Sequence, residues 1–339
     1  MRWLLAACAC LFLALGARSG EAQVAEINPP LLSAFAFFDG GADRPAPNLI
    51  PYTLNTPLFS DYAEKQRFIS LPKGARLTVD GAGRIGFPVG TTLIKSFGYS
   101  DAGGKLKIIE TRLLIHRAEG WVTLPYVWRA DGKDAELKLG GTRVPASFLK
   151  PDGEAMAISY AVPNKNQCKQ CHSTKDAITP IGPVLQNMEF ASPSAEKAFL
   201  AHFDNPELIL VPTMARWDMP WSGTIDHRAR AYLQVNCGHC HKPTGSASNS
   251  GLFYDDYKGN AAALGIGKRP VAAGRGSGGF DFVIDPGHPE RSILIHRMKS
   301  IDPGIAMPEL GRATVHDEGV ALLEEWIATM KATDGTPAS

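Results

Sequence analysis

From residue 67 to about residue 139, apolar and polar residues alternate in short runs, with the period of two that half-buried β-strands show. Turn signals such as Asp80-Gly81 and Asp131-Gly132 separate the runs. The predicted strands are 67–71, 75–80, 84–87, 91–99, 105–116, 121–128 and 135–139. Many short strands at this spacing favour a β-sandwich or a partly open barrel.

Beyond about residue 160, the pattern changes to separate helical segments joined by long loops. Helices are predicted over 226–236 and 289–298, where apolar residues recur at helical spacing. A last helix is predicted from Thr314, with Asp317 completing an approximate capping box. Between the first two helices, residues 246–279 are rich in Gly, Ala and Ser and are expected to form a surface loop.

The N-terminus has the pattern of a secretory signal peptide. Met1-Arg2 supplies positive charge, and the apolar run 3–15 is too short to cross a bilayer as a helix. Gly20-Glu21-Ala22 places small residues before a cleavage site, so cleavage is expected between Ala22 and Gln23, with export to the periplasm. An uncleaved anchor is the alternative. A lipoprotein signal at Cys8 is rejected, because only seven residues precede that cysteine.

The charge and the apolar content of the chain exclude two classes of partner. Lys and Arg total 35 against 34 Asp and Glu, so the near-zero net charge predicts no binding to nucleic acid or to an anionic membrane. No later segment approaches 18 consecutive apolar residues, so no integral membrane segment is expected.

Cysteine placement carries the strongest signal. Cys8 and Cys10 leave with the signal peptide, and the four remaining cysteines lie in two copies of C-x-x-C-H. The copies are Cys168/Cys171/His172 and Cys237/Cys240/His241. Two thiols three residues apart can form thioethers on one porphyrin edge, and the adjoining histidine then reaches the iron. The motifs therefore predict two covalently bound haem c groups.

Other chemistries use paired cysteines. A lone C-x-x-C is also found in redox dithiols and in zinc sites, and exported chains commonly form disulfides. None of these readings explains why a histidine follows both pairs, and a four-cysteine zinc site would leave both histidines without a role.

Axial ligands follow from the motifs. His172 and His241 are the predicted proximal ligands. The stretch 181–185 (IGPVL) resembles the Gly-Pro-x-Leu element of class I cytochromes c, and this resemblance implies a backbone carbonyl that orients His172. Met307, followed by Pro308 in a loop ahead of the last helix, is the predicted distal ligand of the second haem. A core methionine is its alternative role. For the first haem Met219 is the leading candidate; Met214, Met188, His116 and an open position are the alternatives.

These observations give a predicted organisation. Residues 1–22 form the signal peptide, 23–160 a β-rich domain, 161–222 a first haem segment and 223–335 a second, class I-like cytochrome c domain. The predicted fold class is α+β multidomain, with an N-terminal all-β sandwich-like domain followed by mainly α, loop-rich cytochrome c-like haem domains.

The chain resembles a family of uncharacterised bacterial dihaem c-type cytochromes with an N-terminal β region. The matching stretches are 54–62 (LNTPLFSDY), 87–91 (FPVGT), 110–114 (ETRLL), 126–128 (YVW), 166–172 (NQCKQCH) and 228–241 (RARAYL to CGHCH). The resemblance covers nearly the whole mature chain and implies an exported dihaem cytochrome. It also implies a parallel β-helix protein as a partner.

Motifs and resemblance together favour single-electron transfer between periplasmic redox proteins, and an electron carrier rather than a catalyst. One alternative is a dihaem peroxidase-like oxidoreductase whose first haem is open to substrate. Another is the electron-transfer subunit of a larger dehydrogenase, with the β region as its interaction module.

Overall fold

A six-stranded antiparallel sheet forms the centre of the computed structural model, which describes residues 27–331 except 102, 176, 210–211 and 257–258. The strands are β1 (Ile50–Pro51), β2 (Thr53–Leu54), β3 (Glu64–Ser70), β4 (Thr78–Val79), β5 (Ile85–Gly86), β6 (Thr92–Ser100), β7 (Leu106–Arg117), β8 (Gly120–Trp128), β9 (Ala135–Leu137), β10 (Thr142–Leu149), β11 (Ala155–Val162), β12 (Ser173–Thr174), β13 (Ala177–Ile178) and β14 (Met188–Glu189). In the sheet their order is β1-β3-β6-β7-β8-β9. Alternation in the sequence produces these strands, because successive side chains point to opposite faces.

One face of the sheet is covered by the segment that precedes it. Phe68, Ile94 and Leu113 project from three neighbouring strands into a cluster that also contains Leu32 and Leu49. The Trp128 indole donates a hydrogen bond to Thr111 Oγ1 on this face (2.9 Å), so its polar edge is satisfied inside the core.

The opposite face is covered at both ends. At one end the hairpin β10–β11 packs Phe148 and Tyr160 against Phe97 and Tyr99. At the other end Phe199 and other residues that follow the first motif pack against the sheet. Charged side chains occupy the strip between these two apolar clusters, as described below.

Helices are short. The α-helices are α1 (Lys165–His172), α2 (Pro193–Leu200), α3 (Ile225–Asn236), α4 (Ala261–Leu264), α5 (Ile293–Lys299) and α6 (Asp317–Ala328). Single 3-10 turns occur at Leu32–Phe35, Leu185–Asn187, Pro206–Leu208, Pro220–Ser222, Ser248–Ser250, Gly274–Ser277 and Pro289–Arg291. Helices α3, α5 and α6 enclose a separate small core around Leu233, Leu323 and Trp326.

The predicted fold class is wrong. The protein is β-rich and only 24% helical, and the described residues contain no helix-rich, cytochrome c-like domain. After residue 160 the longest helices, α3 and α6, have 12 residues each, and glycine-rich turns and short β-pairs separate the others. One physical reason is the concentration of glycines between residues 245 and 287, since glycine is unfavourable within helices.

The two halves of the chain interlock. Strand β14 pairs with β2, and the Asp61 carboxylate accepts hydrogen bonds from the backbone amides of Ala313 (2.6 Å) and Thr314 (2.8 Å). The Phe59 amide donates to Asn236 Oδ1 (2.8 Å) at the end of α3. The segment 54–62 therefore joins the sheet to the C-terminal core.

Two sequence-based expectations concern the signal peptide and membrane-spanning segments. The predicted signal peptide and its cleavage site lie outside the described residues. Within the described ranges, none of the helices has the length and apolar character that crossing a membrane requires.

Candidate cofactor-binding site

The first C-x-x-C-H motif lies on α1. Asn164 caps this helix: its side chain accepts from the Gln167 amide (2.9 Å), and the Gln167 side chain accepts from the Asn164 amide (2.9 Å). This helix was not predicted, although Asn-x-x-Gln was a readable capping signal. Cys168 is buried, and its burial raises the pKa of the thiol while the nearby Arg112 charge lowers it.

A small hairpin orients the first histidine. Strands β12 and β13 follow the motif directly and bring Thr179 back to it. The Thr179 carbonyl lies 3.1 Å from Nδ1 of His172, so this nitrogen donates and Nε2 is the ring atom left for a metal. The orienting carbonyl was expected from residues 181–185, and in the structure it comes from Thr179. Burial, with smaller contributions from Lys95 and other cations, lowers the pKa of His172 to about 4, so the imidazole is neutral at pH 7.

The second motif follows α3 without a break. Cys237 ends the helix, and the amides of Cys240 and His241 both donate to the Cys237 carbonyl. Gly238 is required here, because a Cβ atom would lie 2.6 Å from the Gln234 carbonyl oxygen. Burial raises the pKa of Cys237 to about 12.

His241 is oriented in the same way as His172. Its Nδ1 lies 3.1 Å from Ser250 Oγ, which in turn donates to the Ala247 carbonyl (2.7 Å). Ser250 therefore accepts from Nδ1, and Nε2 is again left for a metal. The Tyr254 ring stands edge-on to the imidazole at 5.4 Å between centroids.

The two motifs converge in space. Ligand atoms of Cys171, His239 and Cys240 all lie within 4.8 Å of one another. A hydrogen bond from the Cys171 thiol, together with His239, lowers the pKa of Cys240 despite its partial burial. Lys242 Nζ also donates to Thr174 Oγ1 (3.1 Å), which ties the second motif to the hairpin after the first.

Met307 lies in the loop between α5 and α6. Its amide donates to the Arg297 carbonyl (3.0 Å), and its own carbonyl accepts from Arg312 Nη2 (2.9 Å). The side chain is half-buried and belongs to none of the four hydrophobic clusters of the described residues. The Arg297 charge also contributes, after burial, to the lowered pKa of His241, so this loop lies near the second motif.

Met219 lies in a turn beside α3. Its amide donates to the Arg216 carbonyl (3.3 Å), and its carbonyl accepts from the Ser222 amide. The neighbouring Trp217 carbonyl accepts from Arg228 Nε on α3 (2.9 Å). These contacts do not bring Met219 to His172, and its role as an axial ligand stays a prediction.

The other candidates for the first distal position differ in setting. Met188 and Met214 are both buried, and Met188 belongs to the apolar cluster around Phe199. His116 stacks on Trp121 at 4.4 Å, and its Nδ1 lies 2.8 Å from the Phe87 carbonyl. Packing thus accounts for Met188 and His116.

Sequence reasoning missed His316. It stacks on Phe59 at 4.2 Å, and its Nδ1 lies 2.9 Å from the hydroxyl of Tyr232. Its polar sequence neighbours predict a solvated or capping side chain, but the side chain is only 11% exposed. The segment 54–62 contributes Phe59 to this contact, and no local sequence signal connects two residues that lie so far apart in the chain.

The donor set fits two c-type haems. Each motif offers two cysteines that form no disulfide, and the Nδ1 atom of each histidine has a partner. One group would be held by Cys168, Cys171 and His172, and the other by the second motif. No family model, curated protein or solved structure matches this chain, so its resemblance to a cytochrome family stays a prediction.

Proposed function

We propose that the chain is a periplasmic dihaem c-type cytochrome that carries single electrons between redox proteins. Haem c, when bound, supplies a one-electron iron couple. The chain's residues would hold the group through paired thiols and fix each imidazole by its Nδ1 hydrogen bond.

The convergence of Cys171 and Cys240 carries this proposal. Attachment points from separate motifs lie within 4.8 Å, so two groups anchored there would be neighbours. Two neighbouring haems, each of which can take up one electron, are suited to an electron carrier.

A bound metal ion is the second candidate, because Cys171, His239 and Cys240 form a three-residue cluster. This reading uses one member of the first motif and leaves Cys168, His172, Cys237 and His241 without a role. The haem reading gives all six motif residues a role.

Haem counting tests the proposal. Mature protein produced in a host with haem-ligation machinery should give two c-type haems per chain in a pyridine haemochrome assay. Replacing both cysteines of either motif by alanine should leave one haem. A colourless protein that contains zinc would refute the proposal.

His239→Ala separates the two candidates. This residue is a variable position of the second C-x-x-C-H, so the variant should retain both haems. If the cluster instead binds a metal ion, His239→Ala would remove one of three ligands, and elemental analysis would show that the metal is lost. Thr174→Ala, beside the motifs but without a metal-ligating side chain, is the control.

A further inference from the structure

A row of cationic side chains crosses the sheet beneath the first motif. In the strand register Arg67 faces Lys95, and Lys95 faces Arg112, on β3, β6 and β7. Lys65 lies two residues from Arg67 and therefore on the same face of the sheet. Like charges at directly opposed positions repel, so this arrangement is destabilising unless an anion compensates the charge.

The protein supplies little opposing charge. Glu110 forms a two-point ion pair with Arg112 (2.7 and 2.8 Å), and Tyr160 donates to the same carboxylate (2.8 Å). No carboxylate in the described ranges lies within ion-pairing distance of the other three cations. Arg67 is 7% exposed, and its Nη2 atom has no hydrogen-bond partner.

Arg67 is buried and Lys65 and Lys95 are half-buried, and cations that lose hydration without an acidic partner are costly. Burial, with Arg67 as the next cause, lowers the pKa of Lys65 to about 7, and burial also lowers the pKa of Lys95. An anion bound against this row would remove the cost.

The row adjoins the first motif. The charge of Arg112 acts on the Cys168 thiol, and the charges of Lys95 and Arg112 act on His172. Helix α1, which carries these motif residues, packs on β8, the strand next to Arg112 in the sheet. A group attached at Cys168 and Cys171 would therefore lie beside the cations.

We propose that Lys95 and Arg67, with Lys65, bind the propionate carboxylates of the haem attached at Cys168 and Cys171. This inference rests on the proposed function. Two carboxylates match a site with three cations that lack an acidic partner, and arginine is well suited to binding carboxylates through paired hydrogen bonds.

The test compares Lys95→Gln and Arg67→Gln with wild type in the mature, haem-loaded protein. Resonance Raman spectra should show a shifted propionate bending band for one haem only. Redox titration should show one midpoint potential lowered, because removing a positive charge near the iron stabilises the ferric state relative to the ferrous state. For a charge roughly 10 Å from iron at an effective dielectric constant of about 20, the change is about sixteenfold in the equilibrium, or about 70 mV.

Two further variants act as controls. Lys95→Arg keeps the charge and should retain both the wild-type band and the wild-type potential. Lys107→Gln removes an equal charge from an exposed position on the same sheet and should change neither.

The outcomes separate this inference from the proposed function. Two attached haems with unchanged bands and potentials in both glutamine variants would overturn propionate binding and leave the dihaem proposal intact. Wild-type protein without haem at Cys168 and Cys171 would overturn both.

Discussion

Met307 is the single residue whose replacement is most informative. Its amide donates to the Arg297 carbonyl and its carbonyl accepts from the Arg312 guanidinium, while its side chain belongs to no hydrophobic cluster of the described residues. A half-buried thioether held in this way fits an axial ligand better than a core filler.

Met307→Ala should abolish the methionine–iron charge-transfer band of the ferric protein and lower one midpoint potential, because the axial thioether favours ferrous iron. Visible spectra and redox titration measure these effects. Met330→Ala, which alters a methionine packed against the C-terminal core, is the control and should leave the band in place. A band that persists in Met307→Ala would remove this residue as a ligand.

The motif residues could be proposed as a site from the sequence because the spacing of C-x-x-C-H is itself the chemical requirement for haem attachment. The cationic row could not, since Arg67, Lys95 and Arg112 become neighbours only through strand register. His316 was misjudged for a similar reason: its polar sequence neighbours do not indicate the aromatic residues that bury it.

At the scale of elements, strand prediction succeeded where alternation was long. Segment 91–99 was predicted and β6 spans Thr92–Ser100; segment 105–116 was predicted and β7 spans Leu106–Arg117. The hairpin β10–β11 was missed, although its residues alternate in burial. The prediction of mainly helical haem domains in the second half of the chain is wrong, because it extended two short motifs to a whole fold. A short motif does not determine the fold around it.

Helix α1 depends on its capping box. Asn164→Ala removes the hydrogen bond that the Gln167 amide donates to the Asn164 side chain, and should lower the free energy of unfolding by about 1 kcal/mol. Urea unfolding of the full chain measures this change. Gln170→Ala, at an exposed position on the same helix, is the matched control and should change stability by less than about 0.5 kcal/mol. Equal effects of the two variants would contradict the role of the cap.

At the scale of the whole molecule, His316 lies where the segment 54–62 meets the C-terminal core. Burial, more than the nearby Lys65 charge, lowers its pKa to about 4 from an ordinary value of 6.5. The unfolded chain then binds a proton more readily than the folded one. The stability that neutral His316 contributes is complete above about pH 6.5 and is lost as pH falls towards 4.

We therefore expect His316→Gln to weaken the acid dependence of unfolding, by up to about 3 kcal/mol between these limits. Urea unfolding at neutral pH and near the folded-state pKa of about 4 measures it. His288→Gln, whose side chain is 39% exposed in wild type, is the control and should retain the wild-type slope. An unchanged slope in His316→Gln would show that this imidazole is not the responsible group.

The hydrogen bonds of Asp61 have a consequence for the order in which the chain folds. Its backbone partners lie 252 and 253 positions later, so the segment around Asp61 reaches its final place only after almost the entire polypeptide has been made. Contacts of such long sequence separation form slowly, because closing the intervening loop costs entropy. Both motifs lie within this loop, so the proposed haem attachment would have an interval in which their thiols belong to a chain that has not yet closed.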